Sequence, residues 1–297
     1  MSTDSSAAPA PLYTKSRHGK ARRPVRVTSK ASEKSLVDIQ SSRDYRKIEI
    51  DKVGVKNITY PVTLLDKAHG KQSTVAKVNM YVGLPHHFKG THMSRFVEVL
   101  NEHRHGIRIS SFPKILEAML DRLDSESAHI EMAFPYFLER VAPVSKAASM
   151  LHYDCTFKGS LVDGKYDLLV GVNVPATSVC PCSKAISDGG AHNQRSIISV
   201  EVRFKEFIWL EDLIEKVESK ASCEVYSLLK RSDEKYVTEK AYNNPKFVED
   251  IVRDVAHEMM IDPNITWFSV EAENFESIHN HNAYALVEKW PEEPKGE

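Results

Sequence analysis

Phe247, Ile251, Val255 and Met259 recur at four-residue steps, the spacing of one face of an α-helix. Asn244 followed by Pro245 supplies a helix start, so the pattern predicts a helix over Pro245–Met260. Ile115, Met119 and Leu123 mark another over Pro113–Leu123, preceded by one over Met93–Glu102; Leu210–Leu229 reads as a further long helix. Between them lie stretches rich in Val, Thr and Tyr, which suit a pleated, half-buried surface. These are Ile58–Leu65, Thr74–Val82, Ser149–Phe157, Tyr166–Val174, Ser196–Phe204, Thr266–Ala272 and Asn282–Trp290. The turn-forming His69-Gly70-Lys71 separates the first two, and Val162-Asp163-Gly164 predicts a hairpin between the third and fourth. Extended segments bracket helices twice over. The expected class is therefore α+β, antiparallel sheets with paired helices packed on one face, rather than a doubly wound parallel sheet. The duplication lies in element order; no repeat is visible in the residues themselves.

Residues 1–45 break the pattern. They are rich in Ser, Ala and Pro, and Lys15–Lys34 carries eight Lys/Arg against the single acid Glu33. Such a segment buries too little apolar surface to offset its ordering entropy and reads as a disordered basic tail. An electrostatic tether to RNA or an Arg- and Ser-rich targeting peptide is the functional alternative. The remainder, 46–297, is expected to be the folded region, divided at about 176/177.

The 297 residues are 41% hydrophobic and 27% charged with formal net charge −1, which suits a globular protein and not a general nucleic-acid binder. Any nucleic-acid contact is expected to be weak and confined to the tail. No apolar run reaches the length of a membrane span, and the start lacks the pattern of a secretory signal. Four cysteines, Cys155, Cys180, Cys182 and Cys223, do not form a disulfide framework. The one-residue gap between two of them favours metal or thiol chemistry in a reducing compartment, so a cytoplasmic location is expected.

The densest chemistry lies in V-P-A-T-S-V-C-P-C-S-K (174–184) and G-G-A-H-N-Q-R-S (189–196). Pro181 holds Cys180 and Cys182 extended, which would point both sulfurs to one side, and His192 follows across Gly189-Gly190. A thiolate and an imidazole suit Zn²⁺ or another first-row divalent ion, which needs one or two further ligands; two packed core thiols would show the same C-x-C. E-S-I-H-N-H-N-A-Y (276–284) puts His279 and His281 on one face of the start of the last strand, where polar side chains at a strand edge are the plainer reading. Glu234 reads as a solvated loop acid just after the long helix. Glu249 reads as half of an exposed pair with Arg253. G-T-H-M-S-R (90–95) sets hydroxyls, His92 and Arg95 at a helix start, which suits phosphate.

At these motifs the sequence resembles the type IB GTP cyclohydrolases I. The resemblance is carried by K-G-T-H-M-S-R-F (89–96), T-S-V-C-P-C-S-K with G-A-H-N-Q-R-S (177–196) and S-I-H-N-H-N-A-Y (277–284), and spans about residue 50 to the C-terminus. It implies two tandem tunnelling-fold (T-fold) units per chain, assembly into a homotetramer with active sites between subunits, and a divalent ion, Zn²⁺ or Mn²⁺. Carried over by position, Cys180, His192, Glu234 and His279 match the metal ligands. Cys182 matches a second, catalytically required thiol, and Glu249 the acid that grips the guanine edge. Arg95, Lys184 and Arg195 are candidates for the triphosphate on charge and location, and His92 for proton transfer. The implied reaction converts GTP and water into 7,8-dihydroneopterin triphosphate and formate, the first step of tetrahydrofolate biosynthesis and an entry to 7-deazaguanine tRNA modification.

Two rivals make different demands. A nitrile reductase acting on 7-cyano-7-deazaguanine shares the fold but needs one reactive thiol and no metal, so Cys180, His192 and His279 speak against it. A non-catalytic zinc-containing RNA-binding protein with a basic arm would bind RNA in a salt-sensitive way and turn over no GTP; against it, the basic residues are confined to the tail and Glu is an uncommon structural zinc ligand.

Overall fold

The computed structural model describes residues 39, 40, 42–103 and 107–291; the tail reading of residues 1–38 lies outside them. β1 (Ile50–Asp66) and β2 (Gly70–Leu84) form a long hairpin, followed by α1 (Met93–Glu102) and α2 (Phe112–Leu123). β3 (Ser127–Val141) and β4 (Ala148–Val162) return antiparallel, and β5 (Lys165–Val179) folds back across Asp163-Gly164. Both turn residues are left-handed, with φ 50° and 71°, the conformation that matches a two-residue turn to the strand twist. The short α3 (Pro181–Ile186) leads to β6 (Asn193–Phe204), α4 (Leu210–Glu218) and the two-residue β7 (Cys223–Glu224). Then come α5 (Arg231–Asn243), α6 (Val248–Ile261), β8 (Ile265–Phe275) and β9 (Ala283–Lys289).

All the strands belong to one antiparallel sheet in the order β1-β2-β3-β4-β5-β6-β8-β9, with β7 paired to β5 off that path. Period-two alternation decides which face is covered. Val78, Met80 and Val82 of β2, Ile130 and Met132 of β3, Val170, Val172 and Val174 of β5, and Val270 and Ala272 of β8 are all buried. α2 lies on β3 and β4, α4 on β5, and α6 on β8 and β9. Each large side chain enclosed here contributes about 1.5–3 kcal/mol. At Gly159 the sheet makes room for α2: a Cβ there would stand 2.8 Å from the Phe112 ring. The opposite face carries exposed Val75, Met150, Phe275, Tyr284 and Leu286.

The α+β reading with helices on one face holds, and α1 has the predicted bounds. Other boundaries move. β3 has no counterpart among the predicted strands. The expected division at about 176/177 falls inside β5. The long helix predicted over Leu210–Leu229 stops at Glu218; Ser222 N–H then donates to Thr177 O, and Cys223–Glu224 pairs with β5. α6 starts at Val248 rather than Pro245: Asn244 closes α5, and its Nδ2 donates to Ala221 O and Ser222 O. Phe247 is correspondingly exposed, while Ile251, Val255 and Met259 are buried as expected. Residues 42–45, assigned by sequence to the tail, contact the segment after β2: Asp44 N–H donates to His87 O, and Arg43 bridges to Phe88.

Candidate functional site

The apolar alternation of three neighbouring strands turns polar at one end of the sheet. Ala176 is followed on the covered face by Ser178, Ile198 is preceded by Ser196 and Gln194, and Ala272 is followed by Asn274, all buried. Glu276 and His192 border this patch, with side chains 11% and 14% exposed. His192 Nδ1 lies 3.0 Å from Gln194 Oε1 and 3.7 Å from Glu276 Oε2. Gln194 Nε2 donates to Glu276 Oε1 at 3.3 Å and to Ser178 Oγ at 3.5 Å. Ser178, Gln194, Ser196 and Asn274 were not singled out from sequence as site residues. Their signal was there, in polar types at period-two positions that the rest of each strand fills with apolar ones.

Cys180 and His192 are brought together by the backbone. Cys180 N–H donates to His192 O at 3.1 Å, and Ser183 Oγ ties the two segments by accepting from His192 N–H and donating to Cys180 O. Cys180 caps α3 with Pro181 at its first position, and its Sγ accepts from Ser183 N–H. The expected extended C-P-C is therefore corrected: the chain enters a helix at Pro181, and Cys182 sits exposed on its first turn. Burial pushes the other two thiols up, Cys223 to about 11 and Cys155 higher still, which removes both from thiolate chemistry near neutrality.

Glu234 lies on the first turn of α5, not in a loop. Positions 234, 237 and 241 share one face of that helix, and Val237 and Ala241 pack with Val179, Ala191 and Cys223. Glu234 thus projects from the face that abuts the residues preceding Cys180 and His192. Its neighbour Asp233 anchors the helix start, accepting from the amides of Val144, Ser145 and Lys230 and from the Ser145 hydroxyl. No side-chain partner engages Glu234 among the described residues.

The remaining candidates are more scattered. His279 and His281 occupy the turn between β8 and β9, not the strand, with rings stacked 5.1 Å apart and both side chains exposed. The described residues of one chain do not gather three or more His, Cys, Asp or Glu side chains around a point that an ion could occupy. Glu249 is exposed on the first turn of α6 with no ion pair among the described residues; Arg253 leans instead toward Asp250 at 3.9 Å. Lys184 donates to Tyr242 O and lies 4.2 Å over the Tyr242 ring. Arg95 donates to Arg122 O, whereas Arg195 is exposed without a side-chain partner among the described residues. His92 and Arg95 stand at the start of α1, which packs on α2 and β1 in the first half of the sheet. A cleft of about 570 Å³ lined by His86, His87, His129 and Glu126 contains none of the candidates.

Comparison with known proteins bears on this arrangement. Residues 36–285 match the family described as Type I GTP cyclohydrolase folE2. The chain is 64% identical over 254 residues to "GTP cyclohydrolase FolE2" of Syntrophus aciditrophicus (strain SB), covering 86% of this chain and 100% of that protein. It is 61% identical over 254 residues to the protein of the same name from Methylobacillus flagellatus, covering 86% of this chain and 96% of that one. Among solved structures, a highly active BTUO mutant aligns with TM-score 0.50 at 8% identity, covering 81% of this chain and 100% of that chain. Uricase from Arthrobacter globiformis aligns at 0.46 with 9% identity over 83% of this chain and 95% of that one. At such identities the likeness concerns the fold alone.

Proposed function

The chain belongs to the type I GTP cyclohydrolases, and on that premise we propose how its residues divide the opening of GTP at guanine C8, giving 7,8-dihydroneopterin triphosphate and formate. Cys180, His192 and Glu234 hold a divalent cation, Zn²⁺ or Mn²⁺, with His279 as a further ligand. The observation that carries this reading is the junction of β5, β6 and α5. There the backbones of Cys180 and His192 are tied together, and α5, whose first turn carries the exposed Glu234, packs through Val237 and Ala241 beside Val179 and Ala191. Sulfur, nitrogen and oxygen donors of this kind suit a first-row divalent ion. Such an ion, when bound, brings a water toward ionisation near neutral pH.

The protein's own groups orient and move protons. Glu249 can accept from guanine N1–H and from the 2-amino group together, a pairing that adenine cannot offer. Its exposed place on the first turn of α6 leaves both oxygens available. Cys182 gives or takes a proton at the C8-derived carbon as the imidazole ring opens and the carbon leaves as formate. Arg195 is the triphosphate contact favoured by its lack of another partner, with Lys184 and Arg95 in the same role and His92 as a further proton carrier.

A homotetramer with sites between copies is part of the proposal. β1 and β9 leave both edges of the sheet open, and the uncovered face carries exposed Val75, Met150, Phe275, Tyr284 and Leu286. His92 and Arg95 belong to the first half of the sheet and Cys180 to the second, so a neighbouring copy is the natural source of one set. Among the described residues no helix is long and apolar enough to cross a membrane; free thiols support a reducing, cytoplasmic setting. The test is incubation of Zn²⁺- or Mn²⁺-loaded protein with GTP. A fluorescent pterin after oxidation and one formate per GTP are expected; neither appearing would overturn the assignment.

A further inference from the structure

His192 has a buried polar network behind one ring nitrogen. The network has a direction. Ser178 Oγ donates its single hydrogen to Lys246 O at 3.1 Å, so toward its other neighbours that oxygen accepts. Those neighbours are Asn274 Nδ2 at 3.2 Å and Gln194 Nε2 at 3.5 Å. Gln194 Nε2 also faces a carboxyl oxygen, Glu276 Oε1, to which it donates at 3.3 Å. A flipped Gln194 amide would set its oxygen against two acceptors. The amide is therefore held with Nε2 inward and Oε1 toward His192. Nδ1 of His192 then meets two acceptors, Gln194 Oε1 and Glu276 Oε2, and must carry the hydrogen itself.

The geometry points to Gln194 as the positioning residue that locks His192 in the Nδ1–H tautomer, leaving the Nε2 lone pair as the one offered to a cation. The orientation is dictated at a distance: a backbone carbonyl at Lys246, just ahead of α6, sets the Ser178 hydroxyl, which sets the amide, which sets the imidazole. Lys246 is fixed in turn by its own N–H, which donates to Val179 O at 3.0 Å. A ring free to exchange tautomers would present a bare Nε2 for only part of the time, and its orientation would have to be fixed on binding. The tautomer assignment stands on the network alone; the clause about the cation rests on the proposed function.

The experiment is ¹⁵N solid-state NMR of histidine-labelled, metal-free protein, with the His192 signals identified by their loss in His192→Gln. A protonated, pyrrole-type Nδ1 and an unprotonated, pyridine-type Nε2 are expected at neutral pH. The exchange Gln194→Glu with Glu276→Gln keeps an acceptor opposite Nδ1 and a donor between the two side chains, and should keep this signature. Gln194→Met removes it, should give mixed tautomers, and should weaken Zn²⁺ affinity by about 10–100-fold in a chelator competition. Nε2–H as the main form in the wild type, or an unchanged signature and unchanged Zn²⁺ affinity in Gln194→Met, would overturn the assignment. If the wild type shows the expected tautomer but binds neither Zn²⁺ nor Mn²⁺, the cation reading fails and the tautomer stands.

Discussion

Asp233 accepts hydrogen bonds from both the backbone N–H of Ser145, at 2.8 Å, and its hydroxyl, at 2.6 Å, fastening the start of α5 to the loop between β3 and β4. The Val144 and Lys230 amides complete a set of four donors around a carboxylate with no exposed surface. Helix α5 carries Glu234, so this anchor fixes where that side chain leaves the helix.

Burial by itself would raise the pKa of Asp233, but the Ser145 hydroxyl and the Ser145, Lys230 and Val144 amides outweigh it and hold the carboxyl well below the usual range. A carboxyl depressed in the folded state adds stability above its ordinary value near 3.8, and that stability is lost as pH falls toward the folded value. Asp233→Asn replaces one acceptor oxygen by a donor facing donors. We expect a melting temperature lower by several degrees at pH 7 and a shallower fall of stability below pH 4, followed by thermal denaturation across pH. An unchanged acid limb would show that the anchor is not coupled to folding.

Cys182 is exposed on α3 and has no partner among the described residues, so its removal should leave the fold alone. Cys182→Ala is expected to unfold within about 0.5 kcal/mol of the wild type and to bind Zn²⁺ equally well. Formate release should drop at least about 100-fold, the usual contribution of a positioned proton-transfer group. Near-wild-type release would remove Cys182 from the chemistry.

Glu249→Gln keeps the shape of the side chain but offers guanine one acceptor in place of two. With charged hydrogen bonds contributing about 1.5–3 kcal/mol, kcat/KM for GTP should fall roughly 10–100-fold at unchanged melting temperature. Steady-state kinetics with GTP decide it, and a variant that is unaffected would place the guanine elsewhere.

Gly159→Ala tests the packing of the helix layer rather than the site. The added methyl would meet Phe112 at 2.8 Å and Ile130 at 3.4 Å, so the variant should lose about 1–3 kcal/mol of stability. Denaturant unfolding reads this directly. Zn²⁺ affinity should be unchanged, because Cys180 and His192 flank β5 and β6 and not β4, which carries Gly159.

Local pattern determined a good deal of this protein. The four-residue steps of Ile115, Met119 and Leu123 and of Ile251, Val255 and Met259 placed two helices, because a face with that spacing must be covered wherever it lands. Asp163-Gly164 placed a hairpin, since few residues accept its left-handed angles. The motifs at 89–96, 177–196 and 277–284 carried the family. Tertiary structure decided what depends on distant partners. The helix predicted to Leu229 ended at Glu218 because the segment after it pairs with β5, and Asn244 closed α5 instead of opening α6, its side chain turned to Ala221 and Ser222. Glu234 read as a solvated acid until α5 brought it onto the face that packs beside Ala191. The direction of the hydrogen bonds behind His192 depends on Lys246, Ser178, Gln194 and Glu276, which are far apart in the sequence. A hydrogen bond has a donor end and an acceptor end, and only the folded chain settles which group takes which.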